Sequence, residues 1–475
     1  MEDKRITFIL GAGASIPFIH NGGNCLSTEY LTEQISNRDI WTEIYDEFKR
    51  SIPADRSPEE NFNVSIDDIL QVIEKLKSIN EFNIPQTIQE ASDSSLSSTL
   101  PDLYGIGKIT FEHILYLLDK VCNSLHDRKN SVDNILFDMW GNNDEQKDRL
   151  CSKKGWNYVP YLCREVLIRA IIDIWEACPQ EQAIEKNRRF FTGVLEKFGS
   201  VSIYSLNYDP LLYESLRQIK VKGYKENIHE VDRIFETGFS ERNKFNSTEF
   251  YLNDNVAAFF HGHVGFVPGI GKDFMYFEDT YRSSQEKRLK KVARGEANYY
   301  IRGPKGVHYN VHVTSGLEKH ESLYDNPYAC YILRFSEDIV ESEYIVFIGS
   351  SLGDPHITRV VTAVWRMAMG DDEPPKNMLR LRKLEVGIRK LIIVTTGFDK
   401  LSTNNWGCLD YLFQTNIGRK IFKLVEVGIT TDNENEVNRI LANEGCANID
   451  RNLCLYLKGT EQFFSDVWKI KDLFS

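Results

Sequence analysis

Five short, largely apolar runs, at residues 5–10, 201–206, 256–260, 344–348 and 391–395, constrain the fold of this chain more than any other feature. Each is of strand length, and none alternates strictly between polar and apolar residues, which is how strands buried on both faces of a parallel sheet read. Four of them stop at small or polar residues: Gly11-Ala12-Gly13-Ala14-Ser15, Leu206-Asn207-Tyr208-Asp209, His261-Gly262-His263 and Gly349-Ser350-Ser351-Leu352-Gly353-Asp354. The expected fold is α/β, a doubly wound, mostly parallel Rossmann-like sheet with a large helical insertion or subdomain.

The insertion is read over residues 27–195, between the first two strands. Apolar residues recur at three-to-four spacing over Ile66 to Leu76, Phe111 to Leu125 and Tyr161 to Ala177, and predict helices there. In the third, Leu162, Val166, Leu167, Ala170, Ile171, Ile174 and Trp175 form one stripe, which Pro179 ends. A serine-rich segment, Ala91 to Asp102, and a charged, asparagine-rich one, Gly141 to Trp156, read as exposed loops. Residues 1–26 and 196–400 make the expected nucleotide-binding domain, and 401–475, with a helical stretch near Asp432 to Asn443 and aromatics Phe463, Phe464 and Trp468, a cap or assembly segment.

A chain of 475 residues is long for one compact domain, so two domains, or one with a large insertion, are expected. With 57 basic residues against 69 acidic ones the formal charge is -12, so direct nucleic-acid binding is not expected of the molecule as a whole. A basic run from Tyr281 to Gly295, with Arg282, Lys287, Arg288, Lys290, Lys291 and Arg294, is either a docking patch or a solvated face. No stretch has the roughly 18 to 20 apolar residues of a membrane helix, and the amino terminus lacks a signal-peptide pattern, so a cytoplasmic protein is expected. Nine cysteines without any Cys-x-x-Cys pair suit reduced thiols and argue against a structural zinc ribbon.

The motifs carry recognisable chemistry. Gly11 and Gly13 after a strand suit a phosphate-binding turn, because glycines let a backbone approach a pyrophosphate and a following helix would offer N–H groups; tight strand-to-helix packing is the alternative. Asn207 and Asp209 at a strand's carboxyl end can orient a water or a ribose hydroxyl, or form an Asx turn into Pro210. His261 can take a proton near neutral pH, or be a hydrogen-bonded structural histidine. His263 completes a His-x-His pair, but no further ligand spacing supports a metal, and none is expected. Asp354 can serve a ligand or cap the next helix.

In this order the motifs resemble the sirtuin family over roughly residues 5 to 400. Gly11 to Ser15 matches that family's Gly-Ala-Gly-x-Ser, Ser205 to Asp209 is similar to its Thr-Gln-Asn-Ile-Asp, His261-Gly262 to its His-Gly, and Gly349 to Leu352 to its Gly-Thr-Ser-Leu. The family's downstream Pro-Asp-Phe-Arg is absent, with Ile16-Pro17-Phe18-Ile19-His20 in its place. The extension Asp354-Pro355-His356, and the stretch from Thr314 to Tyr328, look like the sirtuin-like proteins of bacterial anti-phage defence rather than the zinc-bearing deacylases. The resemblance implies an enzyme that cleaves NAD to nicotinamide and ADP-ribose, NAD being its substrate. It implies Asn207, His261 and Asp209 as catalytic residues, and Gly11, Ala12, Gly13, Ser15, Asn207, Gly349, Ser350, Ser351 and Asp354 as NAD-binding ones. It further implies a homo-oligomer held inactive until triggered, with a protein partner or activator such as a HerA-type ATPase or another defence protein. An NAD-dependent deacylase, or a sensor that binds NAD or ADP-ribose without turnover, are the alternatives.

Overall fold

The computed structural model describes residues 4–21, 24–53, 62–78, 110–126, 144–219, 235–239, 245–268, 275–277, 279–294, 327–350, 354, 357, 360–361, 390–394, 446–450, 453–456, 459–468 and 474. In chain order, strand β1 (Arg5–Leu10) and the hairpin β2 (His20–Asn21) and β3 (Asn24–Cys25) precede a run of helices. These are α1 (Thr28–Gln34), α2 (Arg38–Ser51), α3 (Ile66–Lys77), α4 (Phe111–His126), α5 (Asp144–Ser152), α6 (Val159–Ala177) and α7 (Gln180–Lys197). Then come β4 (Ser200–Ser205), α8 (Leu211–Leu216), α9 (Ser247–Leu252), β5 (Val256–Phe259) and the hairpin β6 (Phe266–Pro268) and β7 (Met275–Phe277). The order closes with α10 (Tyr281–Ala293), α11 (Tyr328–Glu341), β8 (Tyr344–Ile348), β9 (Lys390–Val394), β10 (Cys446–Asp450), β11 (Leu453–Tyr456) and α12 (Gly459–Asp466).

The chain divides into two compact units, one of Met1–Cys25, Ala177–Phe260 and Pro327–Ser475, the other of Leu26–Glu176 and His261–Asn326. The first holds a seven-stranded sheet in the order β10-β11-β9-β8-β1-β4-β5. All neighbours pair in parallel except β10, which runs antiparallel to β11 at the edge. Register places helices on both faces. Ile9 pairs with Tyr204 and Phe8 with Ile203, so Phe8 and Tyr204 point to opposite sides. Phe8 meets Phe190 and Phe191 of α7 at 5.7 and 5.8 Å between ring centroids, whereas Tyr204 packs on Phe335 of α11 at 4.8 Å and donates to Asp338 at 2.6 Å. The sheet is therefore doubly wound, as its apolar runs predict.

Two boundaries differ from expectation. The end of the predicted insertion, 177–195, belongs with the sheet, because α7 covers β1 through Phe190 and Phe191. The described part of the expected separate segment 401–475, from Cys446 on, also belongs there: β11 extends the sheet beside β9, and Phe464 of α12 stacks on Phe190 at 4.0 Å. The helical stretch expected near 432–443 lies outside the described residues, as does the serine-rich segment 91–102.

The second unit is built round α6, which is longer by two residues at its start than predicted and buried on nearly every side instead of along one stripe. Its buried charges are matched. Arg164 donates to both carboxylate oxygens of Asp119 in α4 at 2.9 and 2.7 Å, and Glu165 accepts from Arg288 of α10 at 2.9 Å and from Gln285 at 3.1 Å. Helix α3 starts at a capping box in which the Ser65 side chain accepts from the Asp68 amide and Asp68 accepts from the Ser65 amide. The segment 141–156, expected as a loop, contains α5, which buries Leu150 while Glu145, Asp148 and Arg149 remain exposed. No helix among the described residues is long and apolar enough to cross a membrane.

Candidate functional site

In the sheet unit the chain leaves β1 toward β4 and β5 on one side and reaches β8 and β9 on the other, so β1 marks the point where strand order reverses. Open α/β sheets bind ligands outside the carboxyl ends of the strands at such a point. The turns after β1, β4 and β8 all end there, and the backbone locks them together. Gly11 donates to the Ile348 carbonyl at 2.9 Å, Leu206 to the Leu10 carbonyl at 2.8 Å, and Gly13 to the Gly349 carbonyl at 2.9 Å.

Glycine makes the closest of these approaches possible. Gly349 has φ +60, and a Cβ there would sit 2.1 Å from the Gly13 carbonyl carbon and 2.2 Å from the Ala14 nitrogen. A Cβ on Gly11 would lie 2.6 Å from the Gly349 oxygen. The small residues of the two motifs thus serve each other first, joining the turns after β1 and β8. The helix expected after the first turn is only a three-residue 3-10 turn, Ala12–Ala14, and the Ala14 and Ser15 amides donate to the Gly11 and Ala12 carbonyls at 2.8 and 3.1 Å. No helix N-terminus of the kind expected for phosphate binding forms at this point, and Ala12 is the exposed residue of the turn.

The polar side chains converge on Ser15. Buried Asn207 donates through Nδ2 to the Gly11 carbonyl and to Ser15 Oγ, both at 2.9 Å, while its own amide donates to Ser205 Oγ at 3.1 Å. Ser15 also hydrogen-bonds Asp209, whose carboxylate accepts from the Leu211 amide at 3.0 Å. Asp209 therefore makes the Asx turn that the sequence allowed, whereas the Asn207 side chain reaches across to the first turn. Burial pushes the Asp209 carboxyl up to about 6, against the opposing effect of the Ser15 and Leu211 hydrogen bonds. Nearby, burial and then the Asp209 charge raise the Cys178 thiol to about 11, which keeps it protonated and unreactive. Ser350 is buried and Asp354 half-buried; Ser351 lies outside the described residues.

His261 is the first residue of the second unit's return segment. It follows directly on Phe260, whose amide donates to the Ser205 carbonyl at 2.9 Å. His261 is buried, with Nδ1 4.0 Å from Glu112 Oε1 of α4. Gly262, at φ 95, turns the chain. His263 is structural: Nδ1 accepts from the Gly265 amide at 3.0 Å and the ring lies among Phe277, Phe266 and Tyr281. Arg288 donates to the carbonyls of Val264 and Phe266 at 3.1 and 3.2 Å, fixing the segment that follows the histidines.

The basic run of α10 divides. Arg288 is buried against Glu165, and Arg282 donates to Asp173 at 2.7 Å and Glu176 at 2.6 Å, while Lys287, Lys290 and Arg294 are exposed. Only the latter three, with half-buried Lys291, fit the solvated face. Among the described residues no group of three or more His, Cys, Asp or Glu side chains is placed to hold a metal ion.

Several supporting residues carried no motif. Thr460 of α12 donates to the Gly13 carbonyl at 2.8 Å, and Glu112 approaches His261, yet both stand in segments remote from any motif. Ser205, one residue inside a recognised strand end, was legible as part of it. No family model matches the chain, and no curated protein matches its sequence.

Proposed function

We propose that this protein is an NAD glycohydrolase, converting NAD and water to nicotinamide and ADP-ribose. The observation that carries the reading is the buried hydrogen-bonded set of Asn207, Ser15 and Asp209 at the carboxyl ends of β1 and β4, beside the reversal of strand order. A buried amide, hydroxyl and carboxylate locked together at a sheet edge exceed what a strand-to-helix turn requires, and ligand chemistry in this fold class occurs at that edge. The resemblance of the four motifs to sirtuins supplies the substrate.

In this reaction the bond from the ribose anomeric carbon to the nicotinamide nitrogen breaks, and the electron pair leaves on nicotinamide, which becomes neutral. Water adds to the oxocarbenium-like carbon and gives up one proton, which His261 accepts and passes to solvent. Asn207 orients the ribose or the water through its amide, with Ser15 holding that amide in place. The same reading makes the protein a cytoplasmic defence effector whose activity is restrained by self-assembly or by a protein partner.

The test is nicotinamide release from NAD by the purified protein without any peptide, beside Asn207→Ala and His261→Ala. Each substitution is expected to lower turnover at least about 100-fold. Release that survives both substitutions, or that requires an acylated peptide, overturns the reading.

A further inference from the structure

We infer that Glu112 is a positioning residue for His261, holding the imidazole as the tautomer that carries its proton on Nδ1 and its lone pair on Nε2. The inference rests on the NAD-cleaving reading for its kinetic consequence, but the pairing itself stands on the geometry of the helical unit. Glu112 Oε1 lies 4.0 Å from His261 Nδ1, with both side chains largely withdrawn from solvent. That separation is longer than a hydrogen bond, and catalytic hydrogen bonds in ligand-free sites are commonly long and shorten when substrate binds.

The local structure holds both partners in place. Glu112 stands in the first turn of α4, where a carboxylate is favoured by the helix dipole. The start of that helix is pinned: the Phe111 amide donates to Thr32 Oγ1 at 2.9 Å, and the Thr110 amide donates to His113 Nδ1 at 3.1 Å. About two turns further along, Asp119 is bound to Arg164 through two hydrogen bonds, so α4 cannot rotate without breaking a buried pair. On the other side, Arg288 grips the carbonyls of Val264 and Phe266 and Gly262 sets the turn, which leaves His261 little freedom except at its side-chain torsions. A histidine that must accept a proton needs its tautomer fixed by an acceptor on the other nitrogen, and a carboxylate also stabilises the imidazolium that forms. Helix α4 belongs to the insertion that interrupts the nucleotide-binding pattern, so the inference gives that insertion a chemical task.

The experiment uses the full chain with nitrogen-15-labelled histidine, compared with Glu112→Ala, Glu112→Gln and Glu112→Asp. Long-range nitrogen–proton NMR reads the His261 tautomer, its signal being identified as the one lost in His261→Gln, and nicotinamide release gives kcat and KM. Expected are an Nδ1–H tautomer in the native protein and a shift toward Nε2–H in Glu112→Ala. In that variant kcat falls about 10- to 100-fold with KM for NAD changed less than about twofold. Glu112→Asp recovers part of the loss, and the near-isosteric Glu112→Gln loses activity while keeping the native melting profile, which separates positioning from folding. Identical His261 signals in the native protein and Glu112→Ala, or an unchanged kcat in both neutral variants, overturns the inference. If the native protein alone releases no nicotinamide, the kinetic arm belongs to the restrained state of the proposed enzyme, and the tautomer comparison by itself decides whether Glu112 orients His261.

Discussion

Asp209 illustrates how one buried group ties the candidate chemistry to stability. Its carboxyl, ordinarily near 3.8, is raised to about 6 chiefly by burial, although Ser15 and the Leu211 amide both favour the ionised form. Desolvation outweighs these hydrogen bonds because, among the described residues, no cation acts on the carboxylate alongside them. A carboxyl raised on folding binds its proton more tightly in the folded chain, so it contributes stability below about pH 4, and that contribution is lost as pH rises through about 6. Asp209→Asn keeps an acceptor for the Leu211 amide and cannot ionise. It is expected to be more stable than the native protein by roughly 1–3 kcal/mol at pH 7.5, with most of that gap gone at pH 4. Urea unfolding at the two pH values measures it, and a gap of equal size at both shows that Asp209 is not raised by burial.

At the scale of elements, the same helical spacing explains what the sequence disclosed about α10 and what it hid. Gln285, Arg288, Leu289 and Val292 recur at three and four residues and all are buried, whereas Lys287, Lys290 and Arg294 point outward. The periodicity was present in the sequence, but the density of positive charge masked it, since a buried arginine is improbable until its partner is known. That partner, Glu165, lies on α6, whose apolar stripe gave no sign that its charged residues are buried as well. Arg288→Ala leaves Glu165 buried without its guanidinium and releases two carbonyls next to the His261 segment. Its expected cost is about 3–5 kcal/mol, against less than about 0.5 kcal/mol for Lys287→Ala on the exposed face. Chemical unfolding of both variants checks the contrast, and equal effects would mean that the Glu165 pair adds nothing to the helical unit.

Over the whole molecule, the parallel strands and the motifs at their ends were legible because each is a local pattern: a short apolar run followed by small or polar residues. A separate helical part was expected, but where the chain divides was not legible, because that depends on contacts between segments hundreds of residues apart, and residues from His261 to Arg294 group with the helices although they follow a sheet strand. Nor were β10 and β11, whose sequences Cys-Ala-Asn-Ile-Asp and Leu-Cys-Leu-Tyr are too short and too mixed to stand out. Their placement changes the reading of the carboxyl-terminal segment from a cap or assembly segment to a part of the sheet unit. A chain ending at residue 445 loses the strand paired along β9 from Leu391 to Val394, the Thr460 bond to the Gly13 carbonyl, and Phe463 and Phe464 from the cluster with Phe190. Each buried phenylalanine contributes about 1.5–3 kcal/mol, so the pair alone approaches the lower end of a typical total stability of about 5–15 kcal/mol. Removal also leaves a hydrophobic strand edge open to pairing between molecules. The shortened protein is expected to be insoluble or to elute as aggregates, measured as soluble yield and by size-exclusion chromatography. A soluble, well-folded product with an unchanged melting temperature would instead show that the segment closes the sheet without supporting it, and would return it to the role of an assembly surface.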